Sequence, residues 1–420
     1  MNTQNPAPVV VIGAGIVGAC SAAYLQRDAR EVLLIDHGEP GMGASFGNGG
    51  IFSASSIVPV AMPGTLAKVP RWLLDPEGPL AIRWSYLPRL VPWLLRFAAA
   101  SAPARVEAQA RALRALLKDS AAHYAPLLRD AGAEALVRKQ GMLYLYASEA
   151  AWRGDARAMD LRRRNGILIE DLERRTLAER EPDLGAAVTH ARFIPDNGFT
   201  TNPLRLVQSL AQQLAARGAR IAQERVLGFE SNGQRITAVR TDRGRHPASA
   251  VVLAAGAWSK PLAAQLGDRV PLDTERGYHV IVKAPEKTLR APAIFVDASF
   301  GITPMETGLR LAGTVELGGL EAPANWARTD AMLNHGRRIL PGLLARHDES
   351  RLSRWLGFRP SLPDSLPVIG PSSRYRNAYY AFGHGHMGMC GAPLTGKLIS
   401  ELIAGKNPSI DISPFSARRF

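Results

Sequence analysis

Residues 9–25 read "VVVIGAGIVGACSAAYL", and residues 32–36 continue with "VLLID". An apolar run breaks into three glycines, small apolar residues follow, and a second apolar run ends in an acid. That order predicts strand, tight turn, helix and strand. Gly13, Gly15 and Gly18 form G-x-G-x-x-G at the turn. The motif asks its glycines for a tight turn, for close approach of backbone to a diphosphate, and for close helix–strand packing. The first N–H groups of the helix would receive the diphosphate. Asp36 closes the second strand 18 residues after Gly18, where a carboxylate accepts hydrogen bonds from ribose hydroxyls. A glycine-packed contact with no ligand would not need that acid, so the stretch predicts a bound dinucleotide. The motif does not separate FAD from NAD. The run has no basic segment before it and is too short to span a bilayer, so neither a signal peptide nor an integral membrane protein is expected.

The 420 residues allow one large domain or two to three ordinary ones. Apolar (46%) and charged (21%) fractions match a globular protein. Two distant cysteines, Cys20 and Cys390, exclude a disulfide framework and suggest a cytoplasmic setting. The net charge of +14, from 51 basic and 37 acidic residues, would suit nucleic acid, an anionic membrane or simple solvation. Arginines such as Arg162–Arg164 are interleaved with Glu170, Asp171, Glu173, Glu179 and Glu181. They form no clean basic stripe and no RNA-binding motif is present, so nucleic acid is not expected and an RNA-associated flavoprotein is a distant rival.

Further along, residues 101–130 are Ala/Arg/Leu-rich and predict helix, and "GMLYLYAS" (141–148) predicts a strand. Asn202 and Pro203 open a helix with Leu204, Val207, Ala211 and Leu214 on its apolar stripe, closed by Gly218. "ASAVVLAAGAWS" (248–259) predicts a buried strand and turn, 278–318 is strand-like, and 392–406 predicts a last helix capped by Gly405. The fold class expected is α/β: a Rossmann-like dinucleotide domain with an inserted domain of antiparallel β-sheet plus helices.

"AFGHGHMGMCGAP" (381–393) places His384, His386, Met387, Met389 and Cys390 among glycines. A metal centre needs three or four converging ligands. Two histidines at i, i+2 with no nearby carboxylate do not supply them, and no metal is expected.

The chain resembles the D-amino-acid dehydrogenase branch of the FAD-dependent amine oxidoreductases, with D-amino-acid oxidase, glycine oxidase and sarcosine oxidase in the same superfamily. The resemblance is carried by "VVVIGAGIVGACSAAYL…VLLID", "GMGASFGNGG", "VVLAAGAWS", "WLGFRPSLPDSLPVIG", "GHGHMGM" and the terminal "PFSARRF". It implies FAD; some members of the superfamily attach it through a cysteine, but Cys390 matches no such motif and the FAD is expected to be noncovalent. Gly13, Gly15, Ile16, Val17 and Gly18 would lie along the diphosphate, with Asp36 and His37 at the adenosine ribose. Ala44, Ser45, Asn48, Gly49 and Gly50 would run beside the ribityl chain and isoalloxazine. Val226 would touch adenine, and Ala255, Gly256 and Trp258 would close over the diphosphate end. The late loop, Gly383, His384, Gly385, His386, Met387 and Gly388, would pass the pyrimidine edge of the flavin, with a helix from near Ala392 aimed at it. Residues 1–50, 195–270 and 350–420 would form the FAD domain, and 51–194 with 271–349 the substrate domain.

In the same resemblance Arg359 of "GFRP" clamps a substrate carboxylate, which suits a planar guanidinium; the alternative is a structural pairing with Asp364. Tyr278, His279 and His384 are further catalytic candidates, with buried, satisfied side chains as the alternative for the first two. The activity implied is oxidative deamination of D-amino acids to imino and 2-oxo acids by hydride transfer to the flavin. Cyclic substrates such as D-proline and D-hydroxyproline are included. Electrons would pass to a quinone or another non-oxygen acceptor. The alternatives are an O2-using D-amino-acid, glycine or sarcosine-type oxidase, or the flavin subunit of a larger amine dehydrogenase. Residues 82–101 mix Trp84, Tyr86, Leu90, Trp93, Leu95 and Phe97 with Arg83, Arg89 and Arg96. That pattern suits either peripheral contact with the inner face of the cytoplasmic membrane or a helix buried against the substrate domain.

Overall fold

The computed structural model describes residues 7–343 and 348–420. The strand Val9–Ile12 is fully buried and pairs in parallel with Val32–Asp36 on one side and Ala250–Leu253 on the other. Strands buried on both faces read as continuous apolar runs, as these do. The six-stranded sheet runs Arg220–Gln223, Val32–Asp36, Val9–Ile12, Ala250–Leu253, Ala378–Phe382 and Val368–Pro371; only the last is antiparallel. Helix Ile16–Arg27 follows the first strand as expected. The C-terminal helix crosses it closely, because a β-carbon at Gly396 would meet the backbone of Cys20. That helix spans Gly388–Ile403 and so begins four residues before Ala392, where the sequence placed it. Pro393 lies inside it and cannot bond the carbonyl of Met389; the Tyr124 hydroxyl donates to that carbonyl instead, at 2.7 Å.

The second sheet, mostly antiparallel, is built around Leu352–Ser361, Asp273–Val282, Gly308–Leu317 and Phe300–Met305, in that order. Its far side continues through Ala293–Phe295, Met142–Tyr146, His190–Ile194 and Glu170–Leu172. The strand Leu352–Ser361 therefore belongs to this sheet, paired with Asp273–Val282 over its whole length, although the sequence assigned 350–420 to the dinucleotide domain. Helices Pro103–Leu117 and Ser120–Asp130 depart from the expected division in the other direction. Tyr124, Leu127 and Leu128 pack with Ile16, Ala19 and Cys20 of the first helix, and the Tyr24 hydroxyl donates to the carbonyl of His123. Periodicity identifies such helices but not the surface that buries their stripe.

Helix Pro203–Ala216 is capped as the sequence indicates: the Asn202 side chain accepts from the N–H of Arg205 at 3.0 Å, and Gly218 adopts φ +87°. Its buried stripe runs through Leu206, Val207, Leu210, Ala211 and Leu214, with Leu204 half-buried at the edge.

Candidate active site

The three glycines of the first turn have three distinct environments. Gly13 adopts φ +107°, and a β-carbon there would run into the carbonyl of Ala254. A β-carbon at Gly18 would run into the carbonyl of Gly13. At Gly15 the nearest atom would be Ser45 Oγ at 3.4 Å, so this glycine leaves space that no protein atom fills. Ser45 Oγ accepts the N–H of Ile16 at 3.0 Å, and the Asp36 carboxylate accepts from Ala14 and Gly38. His37 Nδ1 lies 2.9 Å from Asp36, and its ring tilts against Trp258. Val226 and Ala255 pack against the same apolar cluster nearby. Gly256, at φ +55°, has nothing within 4 Å of its β position.

From this end the loop 44–50 runs to the large sheet. Alternation along Asp273–Val282 puts Glu275, Gly277 and His279 on one face, with register partners Arg359, Gly357 and Trp355. Arg310, Ala312 and Thr303 share that face on the next strands. The loop's carbonyls turn toward it. Arg310 Nη1 donates to Phe46 O and Asn48 O at 3.0 and 2.6 Å, His279 Nδ1 to Gly47 O at 3.2 Å, and Thr303 Oγ1 to Gly49 O at 2.7 Å. The N–H groups of Gly47 and Gly49 have no partner among the described residues, nor do those of Gly385 and His386 in the late loop. His279 Nε2 and Arg310 Nε are also buried without partners, an acceptor and a donor on the same face. Burial, reinforced by Arg310, holds His279 down at about 3, so its ring is neutral.

Tyr278 points the other way. Adjacent strand residues face opposite sides, and Tyr278 joins Val280, Phe300, Ile302 and Leu311 in the cluster beneath helix Ala327–Ile339. Its hydroxyl donates to Glu316, which also binds Arg83 and Arg276. Tyr278 is therefore a satisfied structural tyrosine, and the expectation that it serves catalysis is corrected. His384 Nε2 bonds Thr395 Oγ1 at 2.9 Å, and burial holds the ring down at about 3. It shapes the loop from inside. His386 Nε2 instead reaches Glu275 at 2.6 Å, so the two imidazoles diverge.

Arg359 lies flat over Gly277, where a β-carbon would collide with its guanidinium. Nη1 donates to Thr314 O at 2.8 Å and Nη2 to Gly313 O at 3.1 Å, leaving Nε–H and the second N–H of each nitrogen for a ligand. Those carbonyls are turned inward by a bulge in the strand Gly308–Leu317, where Thr314 adopts φ +54°. A β-branched residue in that region is strained, a condition that persists where surrounding structure over-determines it. Asp364, the alternative partner, is bound by Arg419 Nε at 2.7 Å. Beneath the guanidinium, Glu275 is buried and accepts from Ser361 Oγ at 2.6 Å. Burial pushes its carboxyl up, but His386, Ser361 and Arg359 together bring it down from 4.5 to about 2. Burial lowers Arg359, with Glu275 opposing that effect.

Sequence reasoning did not single out Glu275, Arg310, Thr303 or Trp355. The period-two alternation at 275, 277 and 279 carried a signal for the first; the others required the strand register.

A run of unpaired glycine N–H groups, from a dinucleotide turn to a polar sheet face, marks an extended site for a dinucleotide cofactor of an oxidoreductase. The sequence profile described as FAD dependent oxidoreductase (DAO) matches residues 8–402, and the chain belongs to that family. It is 41% identical over 415 residues to a D-amino-acid oxidase of Bradyrhizobium diazoefficiens, covering 98% of each chain. It is 30% identical over 419 residues to a D-amino acid dehydrogenase of Rhizorhabdus wittichii, covering 98% of this chain and 100% of the relative. The crystal structure of glycine oxidase from Geobacillus kaustophilus superposes with a TM-score of 0.75 at 25% identity, covering 99% of each chain.

Proposed function

We propose that the chain oxidises D-amino acids, with Arg359 as the carboxylate clamp and the face Glu275–Gly277–His279 as the floor of the substrate site. The observation that carries this reading is the Arg359 guanidinium, held by two carbonyls of a strained bulge with its remaining N–H bonds free. A fork fixed in advance loses little entropy on gripping a carboxylate. FAD, when bound, supplies the two-electron acceptor for hydride from the substrate α-carbon. Gly13–Gly18, Asp36 and His37, loop 44–50, Val226, Ala255–Trp258 and the late loop 383–388 would hold it, and the N–H groups of Gly47, Gly49, Gly385 and His386 would bond its polar edges. The imino acid released is hydrolysed by water to a 2-oxo acid and ammonia.

Anaerobic mixing with a panel of D- and L-amino acids, D-proline included, should bleach the flavin band near about 450 nm with D members only. Bleaching by no amino acid, or by L members alone, overturns the reading. We place the electron acceptor outside oxygen, as a quinone or similar carrier, so admitting air should restore the band slowly. Direct use of O2 is a second reading, favoured by the relative named D-amino-acid oxidase; recovery in air as fast as turnover would establish it.

Peripheral membrane contact through residues 82–101 is part of the proposal. Helix Leu87–Ala100 buries Leu90, Trp93, Phe97 and Ala100 but exposes Val91 and Leu95 beside Arg89 and Arg96. Trp84 just before it is 67% exposed, and Leu74 of helix Thr65–Leu74 is 85% exposed. Aromatic and aliphatic groups ringed by arginine suit an anionic interface. No helix among the described residues is long and apolar enough to cross a membrane. Sedimentation with phosphatidylglycerol vesicles should fall at least about tenfold in a Trp84→Glu/Leu95→Glu variant; unchanged sedimentation removes this assignment.

A further inference from the structure

A free amino acid carries an ammonium at neutral pH, and hydride cannot leave the α-carbon until the nitrogen lone pair is available. Where the amino acid binds as its ammonium, the reaction needs a proton acceptor. The pair formed by His386 and Glu275 has the geometry for it. Glu275 lies on the strand Asp273–Val282 directly opposite Arg359 in the register, and its carboxylate is buried. His386 sits in the late loop with its ring 43% exposed. A carboxylate accepts, so Nε2 carries the hydrogen of the 2.6 Å bond to Glu275 Oε2. In the neutral ring Nδ1 is then the lone-pair nitrogen, and it has no hydrogen-bond partner among the described residues. This is the arrangement of a base oriented by a buried acid.

We propose that His386 Nδ1 takes the proton of the substrate ammonium, and that Glu275 is the positioning residue that fixes the accepting tautomer and offsets the imidazolium formed. The proposal rests on the amino-acid-oxidising reading above. One N–H bond of the ammonium breaks, its electron pair stays on nitrogen, and the proton joins Nδ1. The neutral amine then loses hydride to the bound flavin cofactor and becomes the iminium, so the two electrons are accounted for and no further oxidant enters. The half-exposed ring returns its proton to water. The charged and titratable groups around the pair are Arg359 from the strand Leu352–Ser361, and His384 in the same loop, which burial keeps neutral. Ser361 supplies the second hydrogen bond to Glu275. Arg359 lies opposite the acid in the register and would hold the substrate's carboxylate, so the imidazole bonded to that acid is near the end of the substrate that carries the amine.

The test uses holoenzyme of the parent, His386→Asn and Glu275→Gln. FAD content of both variants and benzoate binding by His386→Asn, read from the flavin spectrum, should stay within about threefold of the parent, since neither requires a base. Glu275→Gln, which removes a negative charge beside Arg359, should bind benzoate at least as tightly. Anaerobic bleaching by a reactive D-amino acid should slow about 10²-fold at pH 7 in His386→Asn and about tenfold in Glu275→Gln. The deficit should shrink to within about threefold near pH 10, where an ammonium loses its proton unaided. ¹⁵N NMR of the histidine-labelled parent, assigned through His386→Asn, should place the ring proton of the neutral His386 imidazole on Nε2 and leave Nδ1 unprotonated. An equal rate loss at every pH, or loss of benzoate binding, would reduce the pair to structure and overturn the proposal. A parent bleached by D-amino acids with variants of unchanged pH profile overturns this proposal alone. A parent bleached by none overturns the underlying reading as well.

Discussion

Arg359→Ala is expected to purify with its full complement of FAD and to require about 10²–10³-fold more D-amino acid for half-maximal rate. The guanidinium is fixed by the Gly313 and Thr314 carbonyls and keeps N–H bonds free in a planar fork, whereas Arg310 on the same face already spends Nη1 on the carbonyls of Phe46 and Asn48. Removing one partner of a desolvated charge pair costs about 2–5 kcal/mol, or about 30- to 5,000-fold, which brackets that range. Arg359→Lys should recover little, because an ammonium cannot bond both carbonyls and still present two parallel donors. The FAD contacts proposed lie on other elements, so the ratio of flavin absorbance to protein should not move. Kinetic constants equal to those of the parent would remove the clamp. Loss of FAD instead would show that the arginine supports the cofactor.

The second large effect separates two glycines of one motif. Gly15→Val should yield folded protein that retains almost no FAD, whereas Gly18→Ala should fail to accumulate as folded protein. At Gly15 the backbone is already extended, with φ −72° and ψ 179°, and a β-carbon would meet only Ser45 Oγ at 3.4 Å. The valine therefore clashes with a diphosphate and with little else. At Gly18 the added carbon runs into the Gly13 carbonyl, where helix and strand meet, and neither backbone can move without disturbing the central sheet. Circular dichroism and flavin absorbance on the two variants read both outcomes. A yellow Gly15→Val protein would mean that the turn does not hold the diphosphate.

How much was legible follows from the range of each signal. The first strand, turn, helix and second strand are encoded within 28 consecutive residues, so residues 9–36 specified the dinucleotide turn unaided. The Asn202 cap and the Gly218 stop were equally local and came out as read. Where the sequence left alternatives open, the deciding partner was distant. Tyr278 and His279 are neighbours of similar character, and only the sheet decides that His279 faces loop 44–50 while Tyr278 packs beneath Met332 and Leu333. Asp364 is five residues from Arg359, yet it pairs with Arg419, 55 residues further on. Residues 82–101 left membrane contact and burial as alternatives; the fold buries one face of that helix and exposes the other.

The sequence by itself determined the dinucleotide turn, the glycine loops and the α/β class. Each is written in residues close together, where backbone geometry and helix or strand period act directly. Tertiary structure alone decided which side chains share a face. Strand pairing brings Glu275 under Arg359, a bulge turns two carbonyls onto the guanidinium, and the late loop delivers His386 to a carboxylate 111 residues earlier in the chain. Register across a sheet depends on packing of whole strands, so no local pattern contains it.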